Sequence, residues 1–188
     1  MSDSAWVSLL AHPGTANEAV RRVAAAAEPA GPDWLRFRYG LEADPERVRV
    51  PASVAHAGRA DKLWAHTCFE AFIGLPQSSR YLELNFSPSG EWAAYRFESY
   101  REGMLAVALE APPRLALRRG GPGLELQAQV CLRGTEIAAS RRLRIALSTV
   151  VEDGEGRLSY WALRHAPGRP DFHHPDGFAL ALELPATP

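Results

Sequence analysis

In the stretch WAHTCFEAFIGLPQSSRYLELNFSPSGEWAAYRFESYREGM, Trp64 to Met104, the side chains able to do chemistry recur at alternate positions. Trp64, His66, Cys68 and Glu70 share one parity of the first apolar run, Tyr81, Glu83 and Asn85 one parity of the second, and Trp92 and Arg96 one parity of the third. In extended chain each such set lies on one face. A face built of two Trp, a Tyr and a His among acids and an amide is unlike an ordinary solvated sheet face. It reads as a recognition surface. Trp64 and Trp161 are the candidate stacking platforms: an indole offers a C–H-rich ligand such as a sugar ring a flat contact, while neighbouring carboxylates and amides bind its hydroxyls.

The loop Pro170-Asp171-Phe172-His173-His174-Pro175-Asp176-Gly177 adds two His and two Asp, placed where loops commonly carry function. Pro-Asp-Gly is a turn signal in its own right, and Asp171 is equally readable as a turn cap. The candidate ligand-binding set is therefore Trp64, His66, Glu70, Glu83, Asn85, Arg96, Trp161 and His173. No metal site is expected. His66, Cys68 and Glu70 alternate on one strand, but same-face neighbours stand roughly 7 Å apart, too far to share one ion. No GxSxG elbow and no phosphate-binding glycine loop occurs. Glu70 and His173 as an acid/base pair on a sugar or nucleotide-sugar remain an enzymatic alternative, as does glycosidase chemistry by Glu70 and Glu83. A non-catalytic role is preferred.

Three strands would position the central set. The first apolar face, Ala65, Thr67, Phe69, Ala71 and Ile73, packs inward with Leu82, Leu84 and Phe86, and with Ala93, Tyr95 and Phe97. The connections Leu75-Pro76-Gln77-Ser78-Ser79 and Ser87-Pro88-Ser89-Gly90 are turns, the second with the Ser, Pro and Gly order of a type I turn. Antiparallel neighbours result. Further strands are expected at Ala5–Ala11, Asp33–Leu41, around Val48, at Leu105–Glu110, Arg114–Arg118, Leu124–Leu132, Leu143–Val150, Arg157–Leu163 and Phe178–Leu184. The Ala-rich segment from Ala16 to Glu28 suits a short surface helix, with a strand as the alternative. The fold expected is all-β, an antiparallel β-sandwich of the jelly-roll or immunoglobulin-like kind with at most one short surface helix, forming one domain over residues 1–188.

Composition narrows the partners. At 188 residues and a formal charge of −1, the chain lacks the basic footprint that nucleic acid or an anionic membrane requires. Arg141, Arg142 and Arg144 form the one basic run, read as a solvated strand edge. Two cysteines, Cys68 and Cys131, make no disulfide framework. They are read as buried thiols, although parity leaves a bridge conceivable. With no signal-peptide pattern at the N-terminus and no stretch of membrane-span length, a cytoplasmic location is expected.

The segments LWAHTCFEAFIG, YLELNFSPSGEWAAYRFESYREGM and YWALRHAPGRPDFHHPDGFALALEL resemble a bacterial group of DOMON-like proteins, which is similar to the family-nine carbohydrate-binding modules. The resemblance implies an antiparallel β-sandwich that holds a sugar or haem. By that resemblance Trp64 is the first clamp on a sugar, Trp161 the second, Glu70 the matching acid and Asn85 the matching amide, with Gln127 or Gln129 supplying a further contact. Where the pattern has an Arg two residues before the amide, this chain has Glu83. The haem-binding relatives use a Met and a His, which here would be Met104 with His66 or His173. The expectation is a small, carbohydrate-like ligand and no cofactor, with haem as the alternative.

Overall fold

Alternating apolar residues and frequent Gly or Pro breaks do produce a chain whose regular structure is nearly all strand. The structure, a computed structural model, describes residues 5–15, 17–121 and 123–185. Residues 1–4, Ala16 of the expected helix, Pro122 and residues 186–188 lie outside them. The strands are β1 (Val7–Ala11), β2 (Val20–Gly31), β3 (Trp34–Ala43), β4 (Val48–Arg49), β5 (Cys68–Gly74), β6 (Tyr81–Phe86) and β7 (Trp92–Phe97). They continue with β8 (Leu105–Ala106), β9 (Arg114–Gly120), β10 (Gly123–Cys131), β11 (Arg142–Asp153), β12 (Leu158–Ala162) and β13 (Leu180–Glu183).

These strands form one antiparallel sheet that curls into two layers. The spatial order runs β8-β7-β6-β5-β11-β12-β1-β2-β3-β10-β9, with β4 and β13 also pairing to β11. The seam is β1, whose Leu10 and Ala11 pair with β12 while Val7, Ser8 and Leu9 pair with β2. Between the layers lies the main core, in which Phe37 meets Phe86 at 6.0 Å and Tyr39 meets Phe69 at 5.1 Å between ring centroids. Both contacts join β3 to the β5–β6 layer. The antiparallel sandwich follows from the pattern as expected.

The segment read as a helix is instead β2. Alanine favours helix in isolation, but here Val20, Val23, Ala25 and Ala27 face the main core, and β3 pairs along nearly the whole strand. A register shift between Val20 and Arg22 inserts an extra residue, which lets both Val20 and Val23 point inward. Burial and ladder hydrogen bonds together outweigh a propensity of a few tenths of a kcal/mol per residue. No α-helix occurs among the described residues.

β5, β6 and β7 form the expected meander. The turn after β6 closes with Gly90 N–H donating to the Ser87 carbonyl at 3.0 Å, and Gly90 has φ +94°, which glycine adopts without a Cβ clash. The first strand starts later than expected, at Cys68, because Leu63–Ala65 winds into one 3₁₀ turn. Both cysteines are buried and free. No helix is long and apolar enough to cross a membrane among the described residues.

Tyr39 bolts the layers together. Its hydroxyl, fully buried, donates to the Glu70 backbone carbonyl at 2.8 Å. Burial, with the carboxyl of Glu70 as a smaller cause, raises the tyrosine pKa well above its usual value, so the hydroxyl stays protonated as this bond requires. Tyr39→Phe should lower stability by about 1–2 kcal/mol, read as a reduced urea midpoint with unchanged slope. An unchanged midpoint would show that the bond does not hold the layers.

Candidate functional site

On the side of β5, β6 and β7 away from the main core lies a second apolar cluster, formed by Phe72, Tyr81, Ala93, Tyr95, Phe97 and Ala146. Beside it opens a cleft of about 400 Å³, lined among others by Trp64, Glu70, Glu83, Phe97, Arg101, Tyr160, Phe172 and His173. The strands supply its floor, and three connections, before β5, between β7 and β8 and between β12 and β13, complete its walls.

Register explains the floor. Glu70 of β5 pairs with Asn85 of β6 on one side and with Ser148 of β11 on the other, so all three side chains share one face. Asn85 Nδ2 donates to Glu83 Oε1 at 2.7 Å, and the Cys68 thiol lies 3.8 Å from Asn85 Oδ1 as a weak donor. Asn85 thus holds Glu83 in place from beneath rather than lining the cleft itself. Glu70 is 3% exposed, and its Oε1 has no hydrogen-bond partner; the hydroxyl of Ser148 beside it has none either.

This floor is rich in unneutralised acid. Burial raises the pKa of Glu70 well above the usual carboxylate value, and the charge of Glu83 raises it further. Glu83 is also raised by burial, opposed by the Asn85 hydrogen bond and the Arg101 charge. The pair therefore holds a proton more readily than free carboxylates do.

His173 sits above Glu83. The Tyr81 hydroxyl accepts from the Arg101 backbone N–H at 3.2 Å, so its own proton is free for His173 Nδ1, 2.8 Å away. That assignment leaves the ring proton on Nε2, which faces Glu83 Oε2 at 3.7 Å. Burial, reinforced by the Arg101 charge, lowers the histidine pKa to about 4, so the ring is neutral near pH 7. Arg101 itself is committed: its Nη2 donates to Asp171 Oδ1 at 2.8 Å, and the Tyr100 hydroxyl bonds the same carboxylate. Asp171 also accepts from the His173 backbone N–H at 3.0 Å, fulfilling the capping role read from the loop.

One lining residue, Arg101, and one residue just before the lining turn, Lys62, have unusual backbones. Lys62, which leads into the turn carrying Trp64, has φ 60°, and Arg101 has φ 58°. These are the two non-glycine residues with positive φ among the described residues. Such conformations cost of order 1 kcal/mol and persist only where surroundings impose them. Trp64 itself stands edge-on to Tyr95, with centroids 5.8 Å apart.

Of the residues singled out in sequence, Trp64, Glu70, Glu83 and His173 converge on the cleft, and Asn85 supports it. The other three lie elsewhere. Trp161 is 8% exposed within the main core, its indole N–H donating to Ser159 Oγ at 3.2 Å. Its neighbour Tyr160 faces the cleft instead, in register with Val150, another lining residue. Arg96 pairs across the ladder with Leu82, not Glu83, so it shares the side of the main-core residues and reaches out to Glu98 Oε1 at 2.8 Å. Period-two alternation puts Ala93, Tyr95 and Phe97 on the core face, whereas the structure turns them to the site face. The site face has its own apolar cluster, so aromaticity did not distinguish the two faces. Trp92 belongs with Arg96 and packs on the main core. His66 follows the 3₁₀ turn, is largely exposed, and meets Glu152 Oε2 at 2.7 Å. Gln127 and Gln129 lie in β10, paired with Arg38 and Arg36, distant in the sheet order from the cleft strands.

Sequence reading missed Phe97, Arg101, Tyr160 and Phe172 as cleft residues. Tyr160 had a usable signal: the alternation Leu158, Tyr160 against Ser159, Trp161 places one aromatic on each face. Arg101 had none, since its position depends on a left-handed turn residue. For haem, Met104 and His173 do line the same cleft, but the ring nitrogens of His173 face Tyr81 and Glu83, and His66 is outside. These residues do not fit a haem ligand pair. No group of three or more metal-ligating side chains occurs among the described residues.

No protein-family model matches the sequence, and no curated protein does. Solved structures with the same fold do match. A proposed carbohydrate-binding protein from Bacteroides uniformis superposes with a TM-score of 0.70 at 15% identity, covering 96% of this chain and 86% of that one. A family-nine carbohydrate-binding module from Caldicellulosiruptor kristjanssonii in complex with glucose gives 0.53 at 10% identity, covering 92% and 81%. The same type of module in complex with cellotriose gives 0.53 at 12%, covering 88% and 75%. The chain therefore shares the fold of carbohydrate-binding-module-like β-sandwiches.

The raised pKa of Glu70 has a stability consequence with a definite sign. The folded state keeps this proton after the unfolded chain has released it near 4.5, so stability is greatest below that value and declines as pH rises through the folded pKa. His173 acts oppositely, with stability lost as pH falls from 6.5 toward 4. Glu70→Gln removes the first ramp. The variant should melt above wild type by about 2–4 °C for each kcal/mol recovered at about pH 8, the gap closing toward about pH 5. Thermal melts across that range check it, and a pH-independent offset would contradict the assignment.

Proposed function

We propose that this chain is a non-catalytic carbohydrate-binding β-sandwich, a single unit that holds a small sugar in the cleft over Glu70 and Glu83. The carrying observation is the combination of aromatic walls, Trp64, Phe97, Tyr160 and Phe172, with a floor whose Glu70 Oε1 has no protein partner. Aromatic faces take the C–H surfaces of a sugar ring, while the carboxyls and the His173 region take its hydroxyls. The volume, about 400 Å³, suits a monosaccharide or the end of a short chain. The shared fold with modules in complex with glucose and cellotriose supports this reading.

A catalytic role for Glu70 and His173 finds less support. His173 already shares its nitrogens with Tyr81 and Glu83, which suits a fixed hydrogen-bonding wall rather than a proton shuttle.

Calorimetric titration with a panel of mono- and disaccharides tests the proposal. At least one should bind, and Trp64→Ala should weaken it by at least about tenfold, ~1.4 kcal/mol, while stability changes by less than about 1–2 kcal/mol. Trp64 is only half-buried on a surface turn, so its loss leaves the main core intact. No binding across the panel, or affinity indifferent to Trp64, would refute the reading.

A further inference from the structure

Resting on the carbohydrate reading above, we infer that the preferred ligand is an amino sugar with a free amine, whose ammonium sits between the Glu70 and Glu83 carboxyls on the cleft floor.

The inference comes from the charge inventory of the cleft. Two carboxyls lie at its base, Glu70 at 3% and Glu83 at 4% exposure. Among the described residues no Lys or Arg forms an ion pair with either, although the Arg101 charge does act on Glu83. Arg101, the one guanidinium in the lining, is bound to Asp171 through both Nε, at 3.2 Å, and Nη2, at 2.8 Å. His173, the one imidazole in the lining, is neutral and presents a single N–H toward Glu83. Glu83 Oε1 accepts from Asn85, a neutral donor. Glu70 Oε1 and the hydroxyl of its ladder partner Ser148 are both buried without partners, side by side on the cleft face.

A buried acid pair with no counter-cation is costly unless a proton or a ligand charge neutralises it. With one proton held by the pair, a neutral sugar hydroxyl can hydrogen-bond here but leaves the remaining negative charge uncompensated. An ammonium supplies three donors and one positive charge, enough to bond both carboxyls and to neutralise the single charge left when the pair holds one proton. The aromatic walls then cover the rest of the ring, as they would for any hexose. N-acetylation removes both the charge and two donors and adds bulk at the point of closest fit. The floor should therefore discriminate against the acetylated form as well as against the plain hydroxyl.

The full chain is titrated calorimetrically at about pH 7 with glucosamine, glucose and N-acetylglucosamine, and with the corresponding galacto series. The free amine should bind at least about tenfold more tightly than both of its neutral counterparts. That advantage should vanish in Glu83→Gln, which removes the acid more readily charged, and shrink in Glu70→Gln, each checked for a cooperative thermal transition. Having two isosteric variants keeps the test decisive if one of them folds poorly. Equal or tighter binding of a neutral sugar, or an amine preference that survives both substitutions, would overturn the inference while the sugar reading stands. Absence of binding by every sugar in both series would overturn the two together.

Discussion

The carboxyl of Glu70 is placed in the molecule at a cost that the surrounding structure must meet. It lies in the middle of β5, flanked by β6 and β11, with almost no solvent contact. Its backbone carbonyl is gripped from the opposite layer by Tyr39, across the main core. The residue is therefore fixed by both layers, and its side chain cannot swing out to water as an edge residue could. A desolvated acid in such a position is rarely useful to the fold alone. Around it are a second buried acid, an amide that orients that acid, and a neutral histidine.

The two faces of the β5–β6–β7 meander divide the labour. One face, with Phe69, Ala71, Ile73, Leu82, Leu84 and Phe86, belongs to the main core and supplies stability. The other carries the smaller cluster around Phe72, Tyr81 and Phe97, which stiffens the cleft without closing it. Strand pairing transmits the position of one face to the other, because a shift of one residue would exchange them. Substituting the apolar face is thus expected to disturb the site indirectly, whereas the cleft side chains can vary with little effect on the core.

Much of this was legible in the sequence. Period-two alternation located β5 and β6 and put Glu70, Glu83 and Asn85 on one side, which the ladder register reproduces. The Ser-Pro-Ser-Gly turn was equally readable. Three physical circumstances hid the rest. In β7 both faces are apolar, so Arg96 and Trp92 were placed on the wrong side. At Trp161 a large indole suggested a platform, yet size is as useful to a core as to a ligand, and the smaller Tyr160 faces the cleft. In β2 helix propensity misled because long-range pairing with β3, invisible locally, decides the outcome.

The left-handed backbones at Lys62 and Arg101 bear on how the cleft meets a ligand. They set the turn that carries Trp64 and the guanidinium that grips Asp171, on separate loops around the opening. At Arg101 the backbone N–H held by the Tyr81 hydroxyl and the guanidinium held by Asp171 fix the conformation, so little rotational freedom remains there to be surrendered to a ligand. A sugar bound as proposed would then meet walls set in advance by the backbone, its selection resting on their shape and on the buried acids beneath rather than on closure around the guest.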